Sequence, residues 1–375
     1  MTPLPPYGNG TLAPGIRSRV VEGINGLSMH VLEAGFEPVG QRCLLLLHGF
    51  PELAYSWRKV MAPLAAAGYH VVAPDQRGYG RTIGWDDRYD GDLDSYRLPN
   101  LVADMVALLG ALGRPSVAAV VGHDFGASVA AWGALLRPDV FTSMVLMSAP
   151  FGGPPAPGAT SRQATFAALA SLARPRKHYQ DYYCGRAADA DMRHAPQGIA
   201  DFLRAYYHHK SADWQANRPF ELGGFVADEL AKMPTYYIMD LADTMAETVA
   251  KEMPSAVEIA ACRWLTDQEL AVYAGEFART GFQGGLNWYR CRTPAMLEEL
   301  TRHHGRTIDV PAAFIAGARD WGIYQTPGAL TRMATQACPR WRGTHLIDGA
   351  GHWVQQEQAE VVAGHLLAFL REAHA

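Results

Sequence analysis

Residues 116–136 read SVAAVVGHDFGASVAAWGALL. The apolar run at 117–121 is typical of a buried strand, and residues 127–136 have the pattern of a helix that ends near Pro138. Between them lies the pentad Gly-His-Asp-Phe-Gly at 122–126, whose glycines permit a tight turn and close approach of helix and strand. A strand, a sharp turn and a helix in this order form the context of a nucleophile elbow. We therefore predict that Asp124, in the middle of the pentad, is a nucleophile.

The choice of aspartate restricts the chemistry. A carboxylate that attacks a saturated carbon becomes an alkyl ester, and water can attack the carbonyl of that ester and release the carboxylate. A serine would form an ether with the same carbon, which is a dead end. Asp124 therefore indicates an alkylating substrate, such as an epoxide or an alkyl halide. The alternative interpretation is an ordinary turn in which Asp124 only caps the helix.

Bulk composition favours a globular protein with a large core. The chain has 375 residues, of which 49% are hydrophobic and 19% are charged. The net charge of -4 and the absence of a long basic run argue against nucleic-acid binding. Five scattered cysteines fit reduced thiols in the cytoplasm better than a disulfide framework. We see no signal peptide and no apolar stretch long enough for a membrane span, so we expect no membrane association.

Apolar runs alternate with helical patterns on both sides of the elbow. The runs at 43–47, 70–75 and 144–148 precede or follow predicted helices, and the pattern resumes at 311–317 and 344–347. This alternation predicts an α/β fold with a mainly parallel sheet that is covered on both faces. From 151 to 307 the pattern is helical, without clear buried strands. We therefore predict one α/β core, formed by 1–150 and 308–375, with an inserted helical cap at 151–307.

A candidate catalytic triad is completed by two side chains, each of which follows one of the last two predicted strands. His352 follows the final strand, where an imidazole can take a proton from water. Asp320 follows the preceding strand and is predicted to orient His352. The chain order nucleophile, acid, base supports this assignment. Asp348 competes with Asp320, but we favour Asp320, because an acid four residues before His352 is better suited to stabilising its turn.

The loop His48-Gly49-Phe50-Pro51 follows the first long apolar run. The backbone N–H groups of Phe50 and Phe125 are predicted to form an oxyanion hole, and a cis bond before Pro51 fits so tight a turn. The adjacent histidine pairs at 208–209 and 303–304 lack the spacing of metal ligands and are expected to be exposed. We therefore expect neither a metal nor a cofactor.

Several motifs together resemble those of soluble epoxide hydrolases, which belong to the α/β-hydrolase superfamily. They are HGFPE at 48–52, YSWR at 55–58, DQRGYG at 75–80, GHDFG at 122–126 and GFQGGLNWYR at 281–290. The resemblance covers the core and both ends of the cap, and fades between about 220 and 262. There the chain carries extra residues, including MPTYYIMD at 233–240, for which we slightly favour a role in shaping the pocket. The chain also departs from many relatives in carrying Phe125 where they have tryptophan.

The resemblance implies an epoxide hydrolase with two cap tyrosines that activate the epoxide oxygen. One maps to Tyr289, and the other maps to Tyr179, with Tyr182 as the second choice. Two O–H donors opposite the nucleophile would stabilise the developing alkoxide and supply a proton. The implied partners are a small hydrophobic epoxide and water, and a homodimer is left open. Further candidates for substrate contact are His48, Pro51, Trp57, Gln180, Tyr182 and Trp353.

Two other functions compete with this hypothesis. A haloalkane or haloacid dehalogenase would use the same Asp124. A haloalkane dehalogenase needs a side-chain N–H donor for the halide, which Phe125 lacks. A haloacid dehalogenase needs an arginine near the nucleophile, and Phe125 again argues against it. A catalytically silent, ligand-binding hydrolase fold would usually show a damaged triad, whereas this triad is complete. The sequence thus favours a cofactor-independent epoxide hydrolase.

Overall fold

The structure, a computed structural model, describes residues 4–37, 40–158 and 162–375. Its strands are β1 (Ile16–Ile24), β2 (Leu27–Ala34), β3 (Cys43–Leu47), β4 (His70–Pro74), β5 (Ala119–His123), β6 (Met144–Met147), β7 (Arg176–His178), β8 (Ile238–Asp240), β9 (Ala312–Gly317) and β10 (Trp341–Ile347). Eight strands form the main sheet in the order β1-β2-β4-β3-β5-β6-β9-β10. The pairs from β4 to β10 are parallel, whereas β1–β2 and β2–β4 are antiparallel.

The helices before and within the inserted segment are α1 (Arg58–Ala66), α2 (Leu98–Ala111), α3 (Phe125–Leu136), α4 (Gln163–Ala170), α5 (Tyr179–Tyr183), α6 (Ala188–Arg193), α7 (Ile199–Lys210), α8 (Ala227–Leu230), α9 (Met245–Ala250), α10 (Ala256–Ala261), α11 (Asp267–Thr280), α12 (Gln283–Arg290) and α13 (Pro294–Thr301). Those after it are α14 (Ala329–Arg332), α15 (Val354–Glu357) and α16 (Ala359–Ala373). Shorter 3₁₀ turns lie at Ala54–Trp57, Asp94–Tyr96 and Trp321–Tyr324, and a π turn at Met333–Ala337.

Burial along the strands follows their position in the sheet. The central strands β3, β4, β5 and β6 are buried at every residue, which accounts for their unbroken apolar runs. Strand β10, at one edge, alternates between half-buried and exposed residues along most of its length. Helix α1 contacts α16, and α2 contacts α3, so helices cover the sheet as predicted. The mainly parallel sheet of an α/β fold, which the alternation predicted, is therefore confirmed.

The described residues between β6 and β9 add no strand to the main sheet. They include helices α4 to α13 and also a two-stranded antiparallel ribbon, in which β7 pairs with β8. The sequence pattern did not predict this ribbon, because each of its strands has only three residues and is too short for a periodic signal. No helix in the described ranges is long and apolar enough to cross a bilayer.

Candidate active site

The turn after β5 holds Asp124 in a conformation that few residues adopt. Its φ of 50° lies in the left-handed region, and its side chain makes no capping hydrogen bond to α3, so the helix-cap interpretation is wrong. A Cβ on Gly122 would lie 2.2 Å from the carbonyl oxygen of Gly126, and one on Gly126 would lie 2.3 Å from that of Leu47. Glycine is therefore required at both flanking positions for helix α3 to approach the sheet so closely.

Three side chains from the ends of different strands meet at this turn. The Nε2 atom of His352 lies 3.4 Å from Oδ2 of Asp124, and its Nδ1 atom lies 3.0 Å from Oδ1 of Asp320. His352 and Asp320 are both 1% exposed. Asp348, the competing acid, is exposed, and the ion pairs that His352 forms with described residues are those with Asp124 and Asp320. The structure therefore brings together the three side chains predicted as nucleophile, base and orienting acid.

The surroundings keep Asp124 ionised. Burial acts to raise the pKa of Asp124, but the hydrogen bond and charge of His352, together with the charges of Lys210 and His123, lower the pKa well below its usual value. The N–H of Phe50 donates to Oδ1 of Asp124 at 3.1 Å. Phe125 is the first residue of α3, so its N–H has no partner within the helix. Both predicted oxyanion-hole residues thus flank the carboxylate, and the Phe50–Pro51 bond is cis.

A cavity of about 190 Å³ opens in front of Asp124. Tyr179, at the start of α5, and Tyr289, in α12, both line this cavity, with ring centroids 6.0 Å apart. The cavity is bounded by Asp124, Phe125, Ser128, Ala149, Pro150, Arg162, His178, Tyr179, Gln180, Tyr289, Arg292, Gly322, Gln325 and Thr326. The structure therefore brings together the nucleophile and the two tyrosines that the resemblance assigned.

Hydrogen bonds hold the hydroxyl of Tyr179 in place. The amide of Gln180 donates to this hydroxyl at 3.0 Å, and the hydroxyl donates to Oε1 of Gln325 at 3.0 Å. Burial and the charge of Asp124 raise the pKa of Tyr179 and of Tyr289, so both phenols stay protonated at neutral pH. Gln325 was not predicted as a site residue, because the loop that carries it has no distinctive motif.

Five of the predicted substrate contacts do not line the cavity. The hydroxyl of Tyr182 donates to Asp191 at 3.1 Å, outside the cavity. His48 is fully buried and bonds to backbone atoms of Gly49 and Gln76. The other three, which also lie in the packed interior, are Pro51, Trp57 and Trp353. The motifs led to these predictions, but of the six residues only Gln180 lines the cavity.

The expectation of exposed histidine pairs is partly wrong. His208 and His209 lie on the last turn of α7 and are both buried, with His209 packed edge-on against Trp214 and Tyr236. His303 is half-buried and His304 is exposed. Within the described residues, no group of three or more histidine, cysteine, aspartate or glutamate side chains could hold a metal ion.

Lys210, which the sequence did not single out, is buried beside the triad. Its backbone carbonyl accepts the N–H of His352 at 2.9 Å. Its ammonium lies 5.0 to 5.8 Å from the ring centroids of Tyr206, Tyr236, Tyr237 and Trp353. Burial lowers the pKa of Lys210, while the charges of Asp124, Asp320 and Glu52 act to raise it. Four aromatic rings therefore lie near the Lys210 side chain, where their faces stabilise its protonated form.

The extra residues of the cap supply part of this arrangement. Tyr237 packs edge-on against Tyr179 with centroids 5.2 Å apart, and its carbonyl accepts the N–H of Tyr179 at 2.9 Å. Tyr237 does not itself line the cavity. The stretch around 233–240 therefore supports Tyr179 from behind and shapes the cavity only indirectly.

Glu357 holds the loop that carries His352. Its carboxylate accepts backbone N–H groups from Ala212 at 2.8 Å, Gly351 at 2.9 Å and Trp353 at 2.9 Å. Because Gly351 and Trp353 are the immediate neighbours of His352, these bonds fix the backbone on both sides of the imidazole. Nothing in the local sequence distinguishes Glu357 from a surface helix residue, so only the fold reveals this role.

The parallel sheet, the elbow and the three side chains at its strand ends define an α/β-hydrolase whose nucleophile position is an aspartate. The alpha/beta hydrolase fold family matches residues 43–359. Epoxide hydrolase B of Mycobacterium tuberculosis (strain ATCC 25618 / H37Rv) is 34% identical over 334 residues, which cover 87% of this chain and 90% of that protein. Epoxide hydrolase A of the same strain is 36% identical over 355 residues, with coverages of 92% and 95%.

Comparison with solved structures also finds epoxide hydrolases. The epoxide hydrolase from an endophytic Streptomyces has a TM-score of 0.73 and 32% identity, with 96% of each chain covered. Potato (Solanum tuberosum) epoxide hydrolase I has a TM-score of 0.74 and 29% identity, with 95% of this chain and 99% of that chain covered. The chain belongs to the epoxide hydrolase family of the α/β-hydrolase superfamily.

Proposed function

We propose that this enzyme opens epoxides to vicinal diols through a covalent ester on Asp124. The observation that carries the proposal is the single cavity lined by Asp124, Tyr179 and Tyr289, because it joins an ionised carboxylate to two protonated phenols. The residues at 151–307 act as a cap that brings both tyrosines over the nucleophile. Family membership supports the reaction class.

In the first step, an oxygen of Asp124 attacks one carbon of the epoxide ring. The carbon–oxygen bond of the ring breaks as the new ester bond forms, and the ring oxygen takes a proton from Tyr179 or Tyr289. The N–H that Gln180 donates to Tyr179 stabilises the phenolate left behind. Solvent returns the proton, and the product of this step is a hydroxyalkyl ester of Asp124.

In the second step, His352 takes a proton from water through Nε2, and the hydroxide attacks the carbonyl carbon of the ester. Asp320 holds the opposite nitrogen and stabilises the imidazolium. The N–H groups of Phe50 and Phe125 bind the oxyanion of the tetrahedral intermediate. Its collapse breaks the bond between the carbonyl carbon and the alkyl oxygen, which takes the proton from His352, so the diol leaves. The carboxylic acid left at Asp124 then loses its proton to solvent, which regenerates the carboxylate and balances the proton taken up in the first step.

The substrate next to the nucleophile is a small epoxide with hydrophobic groups around the ring. Phe125, Ala149 and Pro150 supply apolar contacts in a cavity of about 190 Å³.

The cytoplasmic location and the homodimer of this protein stay predictions.

A competition assay tests the reaction class. The purified enzyme is incubated with an aryl epoxide, a terminal alkyl epoxide and a bromoalkane, and diol and bromide are quantified together. We expect diol without bromide, because the side chain of Phe125 offers no N–H donor for a departing halide. Bromide without diol would identify a dehalogenase instead, and neither product would favour the catalytically silent alternative.

Removal of either phenol is expected to slow ring opening. Tyr179→Phe and Tyr289→Phe should each lower the single-turnover rate of alkylation by about 10²- to 10³-fold, since each removes one donor to the developing alkoxide. Because burial and Asp124 raise both phenol pKa values, the wild-type rate should show no loss from phenol ionisation below about pH 10. Rapid-quench measurement of the ester across pH checks both expectations.

Tyr182→Phe is the matched control, because its hydroxyl contacts Asp191 rather than the cavity. We expect this variant to alkylate at the wild-type rate. A loss as large as that of Tyr179→Phe would assign the second donor to Tyr182, against the geometry.

A further inference from the structure

The two tyrosines of the cavity differ in what their hydroxyl groups contact. The hydroxyl of Tyr179 accepts a hydrogen bond from the amide of Gln180 at 3.0 Å and donates to Oε1 of Gln325 at 3.0 Å. The ring of Tyr289 packs edge-on against Phe125, with centroids 5.0 Å apart, and within the described residues its hydroxyl has no hydrogen bond. Tyr179 is therefore the phenol whose oxygen already faces a hydrogen-bond donor.

Gln180 connects this hydroxyl to a cation. An N–H of Arg292 donates to the amide oxygen of Gln180 at 3.1 Å, and both residues line the cavity together with Tyr179. A guanidinium has only donors, so Oε1 of Gln180 must face Arg292 and its NH₂ group must face Tyr179. A hydrogen bond from a cation polarises the amide and strengthens the N–H bond that the amide donates in turn. The charge of Arg292 thus reaches the hydroxyl of Tyr179 through Gln180.

Arg292 keeps its charge without an acidic partner in the described part of the chain. Its Cζ lies 4.8 Å from the ring centroid of Phe125 and 5.9 Å from that of Tyr289. The ion pairs of the described residues engage other arginines and leave Arg292 out. Because no carboxylate competes for this guanidinium, it is available to polarise the amide of Gln180.

The surroundings of the two phenols favour loss of the proton from one of them. Burial and the charge of Asp124 raise the pKa of Tyr179, but the hydrogen bond from Gln180 and the charge of Arg292 act to lower it. The leading influences on Tyr289, which are burial, Asp124 and neighbouring tyrosines, all raise its pKa. A proton leaves more readily from a phenol whose anion would be met by an N–H donor and a nearby cation.

We propose that Arg292, acting through Gln180, makes Tyr179 the proton donor in ring opening and leaves Tyr289 as a hydrogen-bond donor that keeps its proton. The inference rests on the proposed function and divides its first step between the two phenols. As the bond from Asp124 to the ring carbon forms, the ring carbon–oxygen bond and the O–H bond of Tyr179 break, and the proton binds the ring oxygen. The phenolate accepts the N–H of Gln180 until solvent returns the proton. Arg292 and Gln180 are thus positioning residues.

A double-mutant cycle tests the role of Gln180, with rapid-quench measurement of the ester in a single turnover. Gln180→Leu should lower the alkylation rate by about tenfold and leave substrate binding unchanged. The same change should again cost about tenfold in Tyr289→Phe, but less than about twofold in Tyr179→Phe, where its partner hydroxyl is gone. A general distortion of the cavity would slow both backgrounds alike, so the cycle separates a positioning role from a structural one.

Arginine variants test the route of the charge. Arg292→Gln should lower the alkylation rate by about threefold to tenfold, an effect limited by the exposure of this residue to solvent, and added salt should reduce it. Arg162→Gln removes the same charge from the same cavity without a hydrogen bond to Gln180, and should cost less. The matched control is Arg186→Gln, whose exposed arginine is paired with Asp90, and it should keep the wild-type rate.

A pair of substrates tests which phenol gives up its proton. Trifluoromethyl oxirane releases a less basic oxygen than methyl oxirane, so its ring opening depends less on protonation of that oxygen. The loss of rate caused by Tyr179→Phe should therefore shrink with the trifluoromethyl substrate, whereas the loss caused by Tyr289→Phe should change less. An equal or larger change in Tyr289→Phe would assign the proton to Tyr289 and overturn the inference.

Two further results would overturn the inference while leaving the proposed function intact. One is an equal cost of Gln180→Leu in the Tyr179→Phe and Tyr289→Phe backgrounds. The other is a loss in Arg162→Gln as large as that in Arg292→Gln, which would replace the hydrogen-bonded route by the general positive charge of the cavity. Failure of the wild-type enzyme to form an ester with either oxirane would instead count against the proposed function itself.

Discussion

Asp124→Ala is expected to abolish diol formation, with a fall in kcat of at least about 10⁴-fold. The variant removes the carboxylate that attacks the ring. No ester should form, so the mass of the intact protein should stay unchanged after incubation with substrate. Diol is quantified by chromatography, and circular dichroism checks the fold, because alanine must adopt the left-handed φ of 50° there.

Asp124→Asn is the companion variant, since it keeps the shape of the side chain. Its amide occupies the position of the ester carbonyl, in front of His352, so slow hydrolysis back to aspartate would restore activity over time. Mass spectrometry of the peptide that contains residue 124 distinguishes recovery by this route from true residual activity. Substantial immediate turnover by Asp124→Ala would contradict the covalent mechanism.

His352→Gln is expected to form the ester and then stop. Alkylation needs only Asp124 and the two phenols, whereas release of the ester needs a base for water. One equivalent of substrate should therefore be consumed, and the intact protein should gain the mass of one epoxide molecule. Fragmentation of the digested adduct should place the added mass on Asp124. Steady-state kcat should fall by at least about 10⁴-fold.

Asp320→Asn is expected to slow hydrolysis of the ester by an intermediate amount, between the wild-type enzyme and His352→Gln. It leaves the imidazole in place but removes the charge that holds Nδ1 at 3.0 Å, so hydrolysis should slow less than in His352→Gln, and the ester should accumulate only in part. An unmodified, inert His352→Gln protein would count against the two-step scheme, because it would mean that His352 acts before the ester forms.

Much of the fold could be predicted because its signals are local. The elbow combines an apolar strand, two glycines that permit the turn and a small-residue helix, all within 21 residues of the printed sequence. The central strands are fully buried, so each reads as an unbroken apolar run. His352 and Asp320 were placed by their position after such runs. The three-residue strands of the β7–β8 ribbon carry no comparable signal and were missed.

The sequence by itself predicted the candidate nucleophile, base and acid and determined the sheet that aligns them, because each signal depends on neighbours within a few residues. The tertiary structure alone decided which side chains face the cavity. Tyr179 reaches the cavity and Tyr182, three residues later, does not, since the docking of α5 sets which face points inward. Arg162 and Arg292 also line this cavity although they are far apart in the sequence, and no local pattern records such a relation.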